Sequence, residues 1–220
     1  MTTSLLTVGA HVATAANDEH PKIDYTVDRF ADIEILRYEV PGFEELSLQQ
    51  KQLLYHLSEA ALMGRDIIFD QNCRYNLAIR RALEAIYREY RGDRGDAQFK
   101  ALETYLKRVW LANGIHHHYG EDKFEPAGFT ADYFAQCIRS LDPKHVPVRK
   151  GQTVDAWLKE ITPVIFDPKV MPKRTVQSGS GDLLLASANN YYEGGVTQQE
   201  AEAFYAAMRT PNDSTAPSYG

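Results

Sequence analysis

Residues 76–93, "NLAIRRALEAIYREYRGD", put Leu77, Ile79, Ala82, Leu83, Ile86, Tyr87 and Tyr90 on one broad face of a 3.6-residue period. Arg80, Arg81, Glu84, Arg88 and Glu89 fall on the other. An apolar stripe opposite a charged one is what a helix laid on a core requires, and Gly92 and Gly95 end it. Downstream, "AQFKALETYLKRVWLAN" (97–113) repeats the pattern with Phe99, Leu102, Leu106, Val109, Trp110 and Leu111, and Asn113-Gly114 is a suitable C-terminal stop. Upstream, "SLQQKQLLYHLSEAALMG" (47–64) opens with Ser47 and Gln50 spaced as a capping box. Leu53, Leu54, Leu57, Ala60 and Ala61 then recur at helical spacing until Gly64. A further short helix, "TADYFAQCIRSL" (130–141), starts at Thr130 with Tyr133, Phe134, Cys137, Ile138 and Leu141 inward. The middle of the chain therefore reads as a bundle of at least four helices.

After Asp142 the character changes, with Pro143, Pro147, Pro163, Pro168 and Pro172 punctuating the chain. Here "TVDAWLKEI" (153–161) reads as one short helix, followed by short extended runs such as "PVIFD" (163–167) and "TVQ" (175–177). "SGSGD" (178–182) reads as a turn, and "DLLLASANNYY" (182–192) is too short for periodicity to choose between strand and helix. "TQQEAEAFYAAMRT" (197–210) opens with a second capping box, Thr197 to Glu200, and forms a helix. The expected class is α+β, mainly α: a helical bundle followed by a Pro-rich part with short strands. The expected division is a disordered lead-in or signal remnant over 1–22, a helical region over 23–142 and a mixed α/β region of the same lobe over 143–220.

Composition narrows the function. The chain has 220 residues, 44% hydrophobic and 25% charged, with a formal net charge of −6, which is ordinary for a globular protein. Nucleic-acid binders carry a basic surplus or stripe; the densest basic stretch here, "REYRGDRGD" (88–96), is interleaved with acids. No apolar run approaches the roughly 18 residues that span a bilayer. The two cysteines, Cys73 and Cys137, lack metal-knuckle spacing and read as free thiols, with a single bridge as the alternative. The N-terminal "MTTSLLTVGAHVATAANDEH" carries an A-x-A pattern but no early Lys or Arg, and His11 interrupts it. The compartment is thus cytoplasmic, or periplasmic if that segment is a trimmed signal.

Candidate chemistry centres on "GIHHHYGEDKFEP" (114–126). In an extended segment His116 and His118 share a face, so a metal site with Glu121 or Asp122 as third ligand stands beside the simpler reading of a polar loop. Hydrolytic zinc motifs of the H-E-x-x-H type are absent from the chain, and His56-Leu-Ser-Glu59 has no second histidine. "GSGD" lacks the G-K-[ST] of a phosphate loop. "YYEGGVT" (191–197) places two glycines before a capped helix, where backbone N–H groups either hold an anion or simply turn the chain. No catalytic constellation emerges.

The 114–126 stretch resembles a segment of the dipeptidyl peptidase III family, zinc-dependent exopeptidases that release dipeptides from peptide N-termini. The family pattern is close to G-N-Y-K-S-F-G-D-x-K-F-x-P. Gly114, Gly120, Lys123, Phe124 and Pro126 match it identically, Tyr119 stands for Phe and Glu121 for Asp, while Ile-His-His-His replaces the family residues at 115–118. "LSEAALMGRDIIFDQNCRYNLAIRRALEAIY" and "NNYYEGGVTQQEAEAFYAAM" also look like the bacterial, Bacteroides-type branch, so the resemblance covers most of 45–220. It implies two lobes around a wide cleft, with zinc held by an H-E-x-x-G-H motif and a later Glu beyond position 220. The chain then looks like the N-terminal part of the peptide-binding lobe. Its partners would be an oligopeptide and the zinc-bearing lobe, and zinc would belong to the full-length parent and not to this chain. Carried across by position, the resemblance implies that His118, Tyr119 and Gly120 contact substrate and that Gly114, Lys123, Phe124 and Pro126 shape the loop. No catalytic or metal residue is expected here. The alternatives are a non-catalytic helical peptide-binding or scaffold protein derived from that lobe, and a small metal-binding protein using His116, His118 and Glu121.

Overall fold

The computed structural model describes residues 23–208. The expected lead-in over 1–22 and the last part of the 143–220 region, including the end of the 197–210 helix, lie outside the described residues. Among the described residues the chain is mainly helical, with about half of them in helices and one small sheet. It divides into two compact units, one up to Pro41 and one from Gly42 onward.

The first unit contains an antiparallel hairpin of β1 (Thr26–Phe30) and β2 (Ile33–Leu36), paired from Phe30↔Ile33 to Thr26↔Leu36. Ala31, at φ 51°, makes its tight turn, the positive φ that matches a two-residue loop to strand twist. A register irregularity lies between Thr26 and Asp28. These strands fall in the stretch expected to be helical, whereas the Pro-rich part has no strand among its described residues beyond an isolated Asp122↔Lys173 bridge. The period-2 alternation Ile33-Glu34-Ile35 is the sequence trace of this hairpin.

The second unit is helical: α1 (Leu48–Met63), α2 (Arg65–Asn72), α3 (Asn76–Glu89), α4 (Ala97–Ala112), α5 (Ala131–Arg139), α6 (Val154–Phe166), the single turn α7 (Leu183–Ala186) and α8 (Gln198–Met208). The core forms where α3, α4, α5 and α6 meet, around Ile79, Leu83 and Ile86, then Leu102, Leu106 and Val109, Phe134 and Ile138, and Trp157, Ile161 and Ile165. The expected inward residues of α3 and α4 are buried or half-buried except Tyr87 and Leu111, which are exposed at the margins of their stripes. Cys73 and Cys137 are free and buried, and burial pushes the Cys137 thiol up to about 11.

Of three elements, one differs from the sequence expectation, one resolves an open alternative and one forms as expected but stays uncovered. First, α6 runs through Pro163 to Phe166, absorbing the "PVIFD" run expected to be extended. A proline inside a helix forfeits one backbone bond, but Val164 and Ile165 enter the core and the Asp167 N–H still reaches the Pro163 carbonyl at 3.0 Å. Second, "DLLLASANNYY" resolves as one helical turn because Asp182 caps it through the N–H groups of Leu184 and Leu185. Third, α1 carries both hydrogen bonds of its capping box yet buries no side chain. Leu53, Leu57, Leu62 and Met63 are exposed, Met63 to 80%, and Ile67 and Ile68 of α2 continue this uncovered apolar surface.

Candidate functional site

The loop at 114–126 begins where α4 stops. Asn113 takes the left-handed conformation (φ 52°, ψ 42°), and the Gly114 N–H reaches back to the Val109 carbonyl at 3.0 Å. Two buried amides from the break between α2 and α3 receive this end. Asn72 Nδ2 donates to the Asn113 carbonyl at 3.0 Å. Asn76 Oδ1 accepts the Ile115 N–H at 3.1 Å, while its Nδ2 donates to the Phe69 carbonyl, also at 3.1 Å. Gly114, at φ +151°, passes so close that a Cβ there would lie 2.2 Å from Asn76 Nδ2.

Beyond Gly114 the chain forms a narrow hairpin-like loop. Ile115 is buried and its carbonyl accepts from Phe124 N–H; His117 N–H donates to the Asp122 carbonyl at 2.8 Å; His116 and Lys123 form an antiparallel bridge. His117 organises the tip, because its Nδ1 accepts from Tyr119 N–H at 3.2 Å and Gly120 N–H at 2.9 Å. Those two donors fix the proton of neutral His117 on Nε2.

The sides of the loop are tied to the segment 170–176. Lys123 Nζ donates to the carbonyls of Val164 (3.0 Å), Val170 (2.6 Å) and Asp167. An ammonium here both satisfies orphan carbonyls and opposes the negative end of α6; burial pulls its pKa below the ordinary lysine value. Glu121 receives Arg174 through both carboxylate oxygens, Nε to Oε2 at 2.8 Å and Nη2 to Oε1, and the Arg174 N–H donates to the Glu121 carbonyl at 2.8 Å. These bonds hold the Glu121 carboxyl below its ordinary pKa. Asp122 pairs with Lys173 at 3.0 Å.

His116 is 2% exposed, and its Nε2 donates to the Met171 carbonyl at 2.9 Å. Nδ1 is buried with no hydrogen-bond partner among the described residues. Desolvation, with Lys123 and Arg174 nearby, lowers its pKa from 6.5 despite the opposing Met171 bond. The unfolded chain therefore takes up a proton at higher pH than the folded one, so stability is complete above about pH 6.5 and falls as pH drops toward the folded pKa. Glu121 adds a second loss below its ordinary 4.5 as the Arg174 pair is protonated away. Denaturant midpoints measured from pH 8 to pH 2.5 are expected to fall in these two steps, and His116→Gln is expected to abolish the first step only.

His118, Tyr119 and Gly120 form a continuous exposed tip; Asp122, paired with Lys173, and Glu125 are the other exposed residues of the loop. The His118 ring stacks on His117 at 4.9 Å and 17°, and the Tyr119 ring lies 4.4 Å from it at 45°. Tyr119 is 85% exposed. His118 carries a backbone tie, its carbonyl accepting from Arg174 Nη2 at 3.3 Å. Gly120 lies outside the left-handed region, and a methyl there would sit at ordinary contact distances, 3.5 Å from His117 Nδ1 and 3.8 Å from Asp122. The fold thus demands glycine at 114 but not at 120. The arrangement is a π-surface with an imidazole edge beside an unshielded stretch of backbone, on a base fixed from three sides.

The remaining residues of the loop are placed as follows. Phe124 packs against the core, with His117 at 6.0 Å edge-on and Arg108 over its face at 5.7 Å. Pro126 lines a shallow surface groove with Phe124, Phe166 and Pro168. His116 and Glu121, two of the three residues in the metal alternative, are engaged with Met171 and Arg174, and no group of three or more His, Cys, Asp or Glu side chains among the described residues could hold a metal ion. The anion alternative at "YYEGGVT" meets the chain's own carboxylates: Asp182 Oδ2 accepts from Gln198 N–H, and Glu200 accepts from Thr197 N–H. Asn72, Asn76, His117 and Arg174 do most to hold the site and were not singled out by the sequence. The partner of Glu121 lies 53 residues away, and three adjacent histidines carry no mark of which one turns inward.

No helix of the described residues is long and apolar enough to cross a membrane. No family model matches the chain, and no curated protein matches it.

Proposed function

We propose that this chain is the N-terminal, cleft-forming portion of a zinc-dependent, dipeptidyl peptidase III-like exopeptidase, and that His118, Tyr119 and Gly120 form part of the floor on which an oligopeptide lies. The observation that carries this reading is the contrast along one loop. Ile115, His116, Glu121 and Lys123 are tied to the body, whereas His118, Tyr119 and Gly120 are displayed at the tip, and glycine stands at 120 where the fold does not require it. A missing side chain there lets a peptide backbone approach the Gly120 main chain, the Tyr119 ring offers a flat apolar wall, and the His118 imidazole edge is a hydrogen-bonding partner for a peptide carbonyl or N–H. The uncovered apolar surface of α1 and α2 supports the second part of the reading, since extended apolar patches mark contact with another body; the body proposed is the zinc-bearing lobe.

The zinc implied by the resemblance does not fit this chain. His116 and Glu121 are engaged, the H-E-x-x-G-H sequence does not occur, and no cluster of ligating side chains stands ready among the described residues. In the proposed parent, zinc held elsewhere would supply carbonyl polarisation and water activation; the residues described here would bind and orient peptide. Dipeptide release from a dipeptidyl-arylamide, measured with added zinc, is expected from the full product of the reading frame and not from the 220-residue chain alone. Release from neither would shift the assignment to a non-catalytic peptide-binding or scaffold protein built on the same lobe.

A further inference from the structure

A cavity of about 240 Å³ lies among α7, the 187–196 segment and the residues just ahead of α3. Leu184, Leu185 and Val196 give it aliphatic lining, and Arg74 and Glu193 bring one charge of each sign. Both residues are solvent-exposed at the cavity rim, and neither is paired with an opposite charge among the described residues. The Arg74 guanidinium lies 5.0 Å over the Tyr75 ring, and Nη1 stands 3.8 Å from where a Cβ on Gly194 would be. Glu193 contributes only its backbone carbonyl, which accepts from Val196 N–H. The amide of Asn190 adds a polar group whose one side-chain bond, Nδ2 to Asp70 Oδ2, is long at 3.4 Å.

These features select a ligand class. A polyanion such as a phosphate ester would face Glu193, and the backbone donors that would hold it at the start of α8 are occupied by Asp182 and Glu200. A simple cation would face Arg74. A zwitterion satisfies both charges at once. The volume lies below the roughly 300–1,000 Å³ typical of pockets for drug-sized molecules, so the fit is to one or two residues. We propose that this cavity binds a free amino acid or dipeptide with an aliphatic side chain, its carboxylate on Arg74, its ammonium on Glu193 and its side chain against Leu184, Leu185 and Val196. The proposal is independent of the peptidase reading: it concerns neither the exposed tip of the 114–126 loop nor a zinc ion.

The test is an amide NMR titration of the chain with L-leucine, L-leucylglycine and the doubly blocked N-acetyl-L-leucinamide. Saturable shifts at Asn190, Gly194 and Gly195 are expected with at least one zwitterion, and the two zwitterionic arms show whether one residue or two fit. Charge-assisted contacts are strong enough that Arg74→Gln and Glu193→Gln should each weaken binding by about ten-fold, with the spectrum away from the cavity unchanged. No saturable shift with either zwitterion, equal binding of the blocked compound, or undiminished binding by both variants would overturn the proposal.

Discussion

Gly114→Ala is expected to destabilise the chain by about 3 kcal/mol or more, the upper part of the range for an overpacked core site. The new methyl would lie 2.2 Å from Asn76 Nδ2, and Asn76 is fully buried with both ends of its amide in use. Relief by moving that side chain leaves the Ile115 N–H without its partner, at a cost of about 1–3 kcal/mol for a buried group left unsatisfied, and takes from the Phe69 carbonyl one of its two donors, the Cys73 N–H remaining. The loss should therefore reach beyond the loop to the junction of α2 and α3, and it should appear as a lower urea midpoint. Gly120→Ala is the control: at ordinary contact distances it should change the midpoint little. Equal destabilisation by both substitutions would mean that the loop is held differently from the arrangement described.

Lys123→Met should cost about 2–4 kcal/mol, judged from charge-assisted hydrogen bonds to three carbonyls and not from the lysine's own titration. Methionine keeps much of the aliphatic stem but removes the Lys123 donor from the carbonyls of Val164, Val170 and Asp167 at the end of α6, of which Asp167 keeps the Val170 N–H. Because α6 contains Pro163, its last turn is already short of one backbone bond. The expected signature is thus local: hydrogen exchange should accelerate at residues 164–170 and 122–124 more than in α3 or α4. Uniform acceleration across the bundle would argue against a capping role.

Much of this fold was legible because periodicity and capping agree with packing where contacts are local. The stripes of α3 and α4, the Ser47–Gln50 capping box, the Thr130 and Thr197 starts and the Asn113-Gly114 stop all have their sequence signals within a few residues. The mainly α character followed from them, whereas the strands expected in the Pro-rich part lie instead at Thr26–Phe30 and Ile33–Leu36. What misled was the assumption that each local signal decides alone. Pro163 reads as a break, but burial of Val164 and Ile165 and the Lys123 cap on the same turn carry the helix past it. The leucines of α1 recur at helical spacing and the helix forms, but helical spacing says nothing about whether a partner covers them, and they are exposed. The β1–β2 hairpin has an Ala-Asp turn instead of the glycine-bearing pair that usually announces such a loop.

The loop at 114–126 divides in the same way. That α4 stops at Asn113-Gly114 was legible at the helix end; that residue 114 must be glycine was not, because Asn113 takes the left-handed cap and the constraint at 114 comes from Asn76. That His116 turns inward, that His117 folds the tip and that only His118 remains outside depends on Met171, Arg174 and Asn76, which are distant in sequence. Three identical side chains thus take three different tasks because of what each meets.

The central claim is that the exposed tip, His118 to Gly120, receives peptide. Gly120→Val tests it most directly, since the branched side chain obstructs the backbone approach while the Gly114 lock and the Lys123 and Arg174 ties stay intact. The measurement is kcat/KM for dipeptide release by the full product of the reading frame, alongside its thermal midpoint. A fall of about ten-fold or more, equivalent to roughly 1.4 kcal/mol of lost transition-state binding, with the midpoint unchanged, is the predicted result. An unchanged kcat/KM in a folded Gly120→Val protein would contradict the account.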